Sequence, residues 1–83
     1  MALQLSARNQ LKAKVKSVKL GTVMAEVVVE LSDGQQIVSA ITRTSAEGLG
    51  LKEGDDIVAI IKSTEVMIGK NVWTNCHSFT TLL

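Results

Sequence analysis

The sequence predicts a mainly β domain: a small OB-like, five-stranded, partly open barrel with one short helix, assembling as an oligomer. Three observations carry that expectation. Apolar and polar residues alternate with period two at Leu11–Lys16 and Met24–Leu31 with further apolar strand runs after them, one short stretch switches to a helical pattern, and the chain is too apolar for its size. Its 83 residues are 46% hydrophobic, with a mean hydropathy of +0.25. A domain this short buries a small fraction of its surface, and with no Pro and a single Cys, Cys76, it has no disulfide framework to help. Burial between subunits is the expected remedy.

The elements follow in order. Leu11, Ala13 and Val15 alternate with Lys12, Lys14 and Lys16, as in a half-buried strand. MAEVVVEL, Met24 to Leu31, alternates again and sets Glu26 and Glu30 on one face. Ser32-Asp33-Gly34 marks a hairpin turn, and Gln36 to Thr42 is the return strand. In TSAEGLGL the period changes: Ser45 is the expected N-cap, Glu47 is acidic in the first turn, and Gly50 stands where a C-terminal glycine belongs. After KEGD, the runs DIVAIIKS and EVMIG are the fourth and fifth strands, with a break at Ser63 to Glu65. Residues 1–70 thus form one domain. Residues 71–83, NVWTNCHSFTTLL, hold the only Trp, Phe, His and Cys, follow no clear period, and read as a C-terminal extension.

Composition removes several functions. A net charge of +1 argues against a general electrostatic field for nucleic acid or anionic membrane, so any positive site is local. The start MALQLSARNQ lacks the basic region of a signal peptide, no run has the length of a membrane span, and one thiol fits a reducing compartment; a cytoplasmic location is expected. Cys76 and His77 are the only thiol and imidazole, adjacent and without an orienting third group, so no catalytic dyad and no enzyme are expected. Asp55 and Asp56 read as a solvated turn, and one Cys with one His does not close a zinc site, so no directly coordinated metal is expected.

Single-stranded nucleic acid is the serious alternative, because the row Lys12, Lys14, Lys16 and Lys19 is able to follow a phosphate backbone. Such binders also stack bases on aromatic rings, and residues 1–70 contain none. Glu26 and Glu30 on a neighbouring strand instead suggest a solvated, cross-strand-paired face. A purely structural interaction module is the second alternative. Salt-dependent oligonucleotide binding would mark the first, and indifference to every oxyanion the second.

What remains is polar and sits near strand ends: Ser6, Arg8 and Asn9 before the first strand, Thr42 and Ser45 between strand and helix, Lys62 and Ser63 after the fourth strand. Each alone is ordinary loop surface or, for Ser45, a helix cap. Together they are hydrogen-bond donors without an opposing carboxylate.

The stretches SARNQLKAKVKSVKLG, AEVVVEL, ITRTSAEGLGLKEGD and AIIKSTEVMIGK, in unbroken order from Ser6 to Lys70, resemble the molybdenum-pterin-binding or Mop family, the small molybdate-binding proteins called molbindins. The same module recurs in molybdate-responsive regulators and transporter ATPases. The resemblance implies an OB-like barrel that assembles as a homohexamer, a trimer of dimers, with molybdate or tungstate held between subunits. By position, Ser6, Ala7 through its backbone N–H, Arg8, Lys62 and Ser63 would form one half of a site, and Thr42 and Ser45 of another chain the other half. Family members of this length usually stop near Lys70, so the extension departs from the pattern.

The chemistry of the set agrees with that implication. A tetrahedral oxometallate dianion offers only acceptors, so its cage needs hydroxyls, backbone N–H groups and one or two cations. Arg8 and Lys62 would balance its two charges, which makes burial at an interface tolerable. Phosphate near neutral pH is partly protonated and wants an acceptor, and sulfate must be rejected by size. A pterin would want a ring or a wide apolar pocket, and residues 1–70 offer no ring. The expected function is reversible storage or buffering of molybdate, without catalysis.

Overall fold

The computed structural model describes residues 4–71, so the expected extension beyond Asn71, with Trp73, Cys76 and His77, lies outside the described residues. Strands β1 (Asn9–Leu20), β2 (Met24–Leu31), β3 (Gln36–Thr42) and β4 (Asp56–Ile61) form one antiparallel sheet in the order β3-β2-β1-β4. A six-residue helix, α1 (Arg43–Gly48), follows β3, and a 3-10 turn spans Ser63–Glu65. The fold is mainly β with one short helix, as the sequence predicts. Among the described residues, no helix is long and apolar enough to cross a membrane.

β1 is the long shared strand. Its first half pairs with β4, from Asn9 opposite Ile61 to Lys14 opposite Asp56, and from Ala13 onward it pairs with β2. The β2 register shifts between Val15 and Ser17, leaving Lys16 as the extra residue of a bulge. A bulge bends a strand and increases its twist, which lets one strand serve two neighbours around a curl. Alternation then decides the faces. Ala13, Val15, Val27 and Val29 are buried on the inner face, with Val18, Leu31, Ile37, Ile41, Leu51 and Ile57 packed against them. On the outer face, Lys14 meets Asp56 at 2.8 Å, Lys16 meets Glu30 at 3.4 Å, and Lys19 stands opposite Glu26. The lysine row is thus largely answered by carboxylates across the strands.

The turns match their chemistry. Gly34 donates to the Leu31 carbonyl at 3.0 Å and Leu31 to that of Gln35 at 2.7 Å, closing the Ser-Asp-Gly hairpin. Gln35 also donates to the Asp33 carboxylate through both its side chain and its backbone, which holds the Asp33 carboxyl below its ordinary range. In KEGD, the Lys52 N–H donates to the Asp55 carboxylate at 3.0 Å, so Asp55 closes a turn, and Asp56 is the partner of Lys14.

Three expectations are corrected. The helix begins earlier than expected: Thr42, not Ser45, is the N-cap, its hydroxyl accepting from the Ser45 N–H at 3.0 Å. Glu47 consequently falls beyond the first turn and faces Arg43 one turn back at 3.6 Å. Gly50, with φ of +61°, does follow the helix end in the left-handed conformation expected of it.

The third correction concerns the fifth strand. After the 3-10 turn the backbone extends at Val66, but Val66, Met67 and Ile68 join no sheet among the described residues, and Met67 and Ile68 are 84% and 89% exposed. The physical reason is the lack of a partner: among the described residues no strand pairs with the outer edges of β3 and β4, and this segment reaches neither. The inner face accordingly stays an open apolar cleft of about 770 Å³, lined by Val15, Val27, Ile37, Ile41, Leu51 and Ile57 among others. The Cα radius of gyration is 16.1 Å. A closed globule of this length would have about 12 Å.

Candidate functional site

The antiparallel pairing of β1 with β4 brings the first group together. Because Asn9 pairs with Ile61, the chain entering β1 at Ser6, Ala7 and Arg8 runs beside the chain leaving β4 at Lys62 and Ser63. Ser6, Arg8, Lys62 and Ser63 are exposed and Ala7 is half-buried. Lys62 has extended backbone and caps the 3-10 turn, with its carbonyl accepting from Glu65 at 2.8 Å. Neither Arg8 nor Lys62 forms an ion pair among the described residues, whereas Lys14, Lys16 and Arg43 do. Two cations, two hydroxyls and loop N–H groups therefore share one end of the sheet.

One residue of this group escapes sequence reasoning. Gln10 donates from Nε2 to the Ala7 carbonyl at 2.7 Å and so pins the loop that carries Ser6 and Arg8. Gln10 faces outward from β1, and nothing but its place three residues after Ala7 signals the role.

The second group stands on α1. Thr42 Oγ1 and Ser45 Oγ lie 2.7 Å apart, one hydroxyl donating to the other, while Thr42 Oγ1 also accepts the Ser45 N–H. The pair therefore keeps one hydroxyl hydrogen to offer outward. The fold holds the pair through Ala46, the only buried residue of the helix, and through the Arg43 N–H, which donates to Val23 at 2.8 Å.

The two groups do not meet within one chain. Met24 pairs with Thr42 and Leu20 with Ala25, so Thr42 lies at the far end of β1 from Arg8. The 12 residues of β1 span roughly 40 Å at about 3.3 Å per residue. No cluster of three or more His, Cys, Asp or Glu that would hold a metal ion occurs among the described residues.

A curled four-stranded sheet with donor groups at its two ends defines a class rather than a single protein, and the comparisons with known proteins supply the family. Residues 5–68 match the TOBE domain, and the chain belongs to that family, in its molybdenum-pterin-binding branch. Molybdenum-pterin-binding protein 3 of Clostridium pasteurianum is 54% identical over 66 residues, which are 80% of this chain and 97% of that one. Among solved structures, a molybdate-binding protein from Sporomusa ovata superposes with a TM-score of 0.77 at 41% identity, covering 82% of this chain and all of the other. The cytoplasmic molybdate-binding protein ModG, in a molybdate-bound form, gives 0.70 at 43% identity, covering 74% of this chain and 43% of that one.

Proposed function

We propose that this chain binds molybdate or tungstate at interfaces between its own subunits and serves to store or buffer the anion, with no catalytic step. The observation that carries the reading is the placement of two groups of hydrogen-bond donors at opposite ends of one sheet. Ser6, the Ala7 N–H, Arg8, Lys62 and Ser63 of one chain would take one side of the anion, and Thr42 and Ser45 of another chain the other side. The first group brings two cations, two hydroxyls and a backbone N–H, and the Thr42–Ser45 pair adds one hydroxyl hydrogen, which suits a fully ionised dianion.

Assembly is supported by what the described residues of one chain leave uncovered. The open edges of β3 and β4, the apolar cleft and the exposed Val66-Met67-Ile68 run complement one another, and a second copy is the nearest source of each. We take the assembly to be a homohexamer built as a trimer of dimers, located in the cytoplasm like the ModG relative. Nucleic acid is not favoured as ligand, since Lys14 and Lys16 are engaged with Asp56 and Glu30.

A thermal melt tests the ligand. Molybdate and tungstate, each about a hundredfold above Kd, are expected to raise the melting temperature by roughly 10 °C, because a ligand that binds only the native assembly stabilises it by mass action. Sulfate at equal ionic strength is expected to do little. Equal shifts with molybdate, tungstate, sulfate and phosphate would sink the specificity.

We also propose residues 1–70 as the binding domain and residues 71–83 as an accessory extension. Removing residues 71–83 is expected to leave oligomer size and molybdate stoichiometry unchanged. A truncated chain that elutes as a monomer in light-scattering chromatography would refute it.

A further inference from the structure

α1 is six residues long, too short to be stable on its own, and only Ala46 anchors it by burial. The position of Ser45 must therefore come from contacts outside the helix. Arg43 makes two of them with the same neighbour: its backbone N–H donates to Val23 at 2.8 Å, and its Nη1 donates to the Gly21 carbonyl at 3.3 Å. Both acceptors belong to the turn joining β1 to β2. That turn is itself stiff, since the Gly21 N–H donates to Met24 at 2.7 Å and a Cβ at position 21 would stand 2.9 Å from the same carbonyl oxygen. Only glycine fits there. On its other side the Arg43 guanidinium faces Glu47 at 3.6 Å, one turn further along α1.

We propose that Arg43 is a positioning residue for the Thr42–Ser45 half of the site, a strap that fixes the first turn of α1 to the β1–β2 turn. The inference rests on the proposed reading of that half-site and deepens it. A guanidinium suits this role because its planar fork reaches the Gly21 carbonyl and the Glu47 carboxylate at once, which the single ammonium of a lysine does not reproduce. Arg43 acts through Ser45 and Thr42 and does not itself neutralise the anion.

The experiment compares Arg43→Ala and Arg43→Lys with wild type by molybdate calorimetry and by amide hydrogen exchange. Both variants are expected to bind molybdate about tenfold more weakly, the worth of roughly one charge-assisted hydrogen bond. Both are also expected to speed exchange at the Ser45 amide while leaving the Val27 and Val29 amides protected, a local signature that general destabilisation does not give. Full recovery of affinity by Arg43→Lys would show that charge alone matters and overturn the strap. Unchanged affinity in both variants, with wild type binding normally, overturns it too. Wild-type protein that gives no molybdate heat overturns the reading of the site itself, and is told apart from the other failures by that control.

Discussion

Arg8→Ala is expected to weaken molybdate binding by about a hundredfold or more, while Lys14→Ala leaves it within about twofold. Arg8 stands exposed at the mouth of β1 with no ion pair among the described residues, beside Lys62 and Ser63 across the β4 register. In the assembled site it would supply charge-assisted bonds in fork geometry to a desolvated dianion, each worth about 1.5–3 kcal/mol, and its loss leaves part of the anion's charge unanswered. Lys14 lies on the outer face of the same strand, six residues along, and is held at 2.8 Å by Asp56. It shares the charge of Arg8 but not the place. Titration calorimetry of the two variants measures the difference, and equal affinities would mean the site is misplaced.

The second large effect is recovery by mixing. Arg8→Ala and the double variant Thr42→Ala, Ser45→Ala damage opposite halves, so each homo-oligomer alone is expected to bind poorly. Refolded together at equal amounts, the chains assort at random, and about a quarter of the interfaces receive two intact halves in a symmetric assembly. That quarter is expected to bind with near wild-type affinity, and molybdate present during refolding should raise the fraction, because filled sites stabilise the interfaces that contain them. Calorimetric stoichiometry of the mixture against each parent is the readout. If mixed oligomers form, as mass spectrometry would show, yet bind no better than the parents' average, the split site is wrong.

The sheet itself was legible in the sequence because its strands alternate and its turns carry their own chemistry. Met24–Leu31 and Gln36–Thr42 fall on the expected bounds, with Ser-Asp-Gly between them. Even the bulge left a trace: Lys16 and Ser17 are consecutive polar residues, and the inward series resumes at Val18 instead of at position 17. The helix start was not legible, since Thr42, Thr44 and Ser45 are three hydroxyl residues within four positions and any of them suits a cap. The fifth strand was misread for a different reason. Periodicity in Glu65–Gly69 reports an extended backbone, which Val66 does adopt, but it says nothing about where the pairing partner lies.

For the candidate site, residue types at strand ends singled out Ser6, Arg8, Thr42, Ser45, Lys62 and Ser63, whereas Ala7 and the division into two halves came only with the family resemblance; the β1–β4 register sets Ser6, Ala7 and Arg8 beside Lys62 and Ser63. The supporting residues were invisible. Gln10 and Arg43 read as ordinary surface, because what distinguishes them is a bond to a backbone carbonyl that only the folded chain brings near.

In the proposed assembly the length of β1 would act as a ruler. Each chain would take part in two sites, one at either end of this strand, so the spacing between those sites is set by its 12 residues and reaches up to roughly 40 Å before curling shortens it. The screening length in physiological salt is about 8 Å. Even at half the full span, two bound dianions on one chain would hardly feel each other's repulsion. The two anions that one chain would help to hold are thus largely screened from each other, and inserting or deleting one residue in β1 would alter that spacing and turn one half-site to the opposite face.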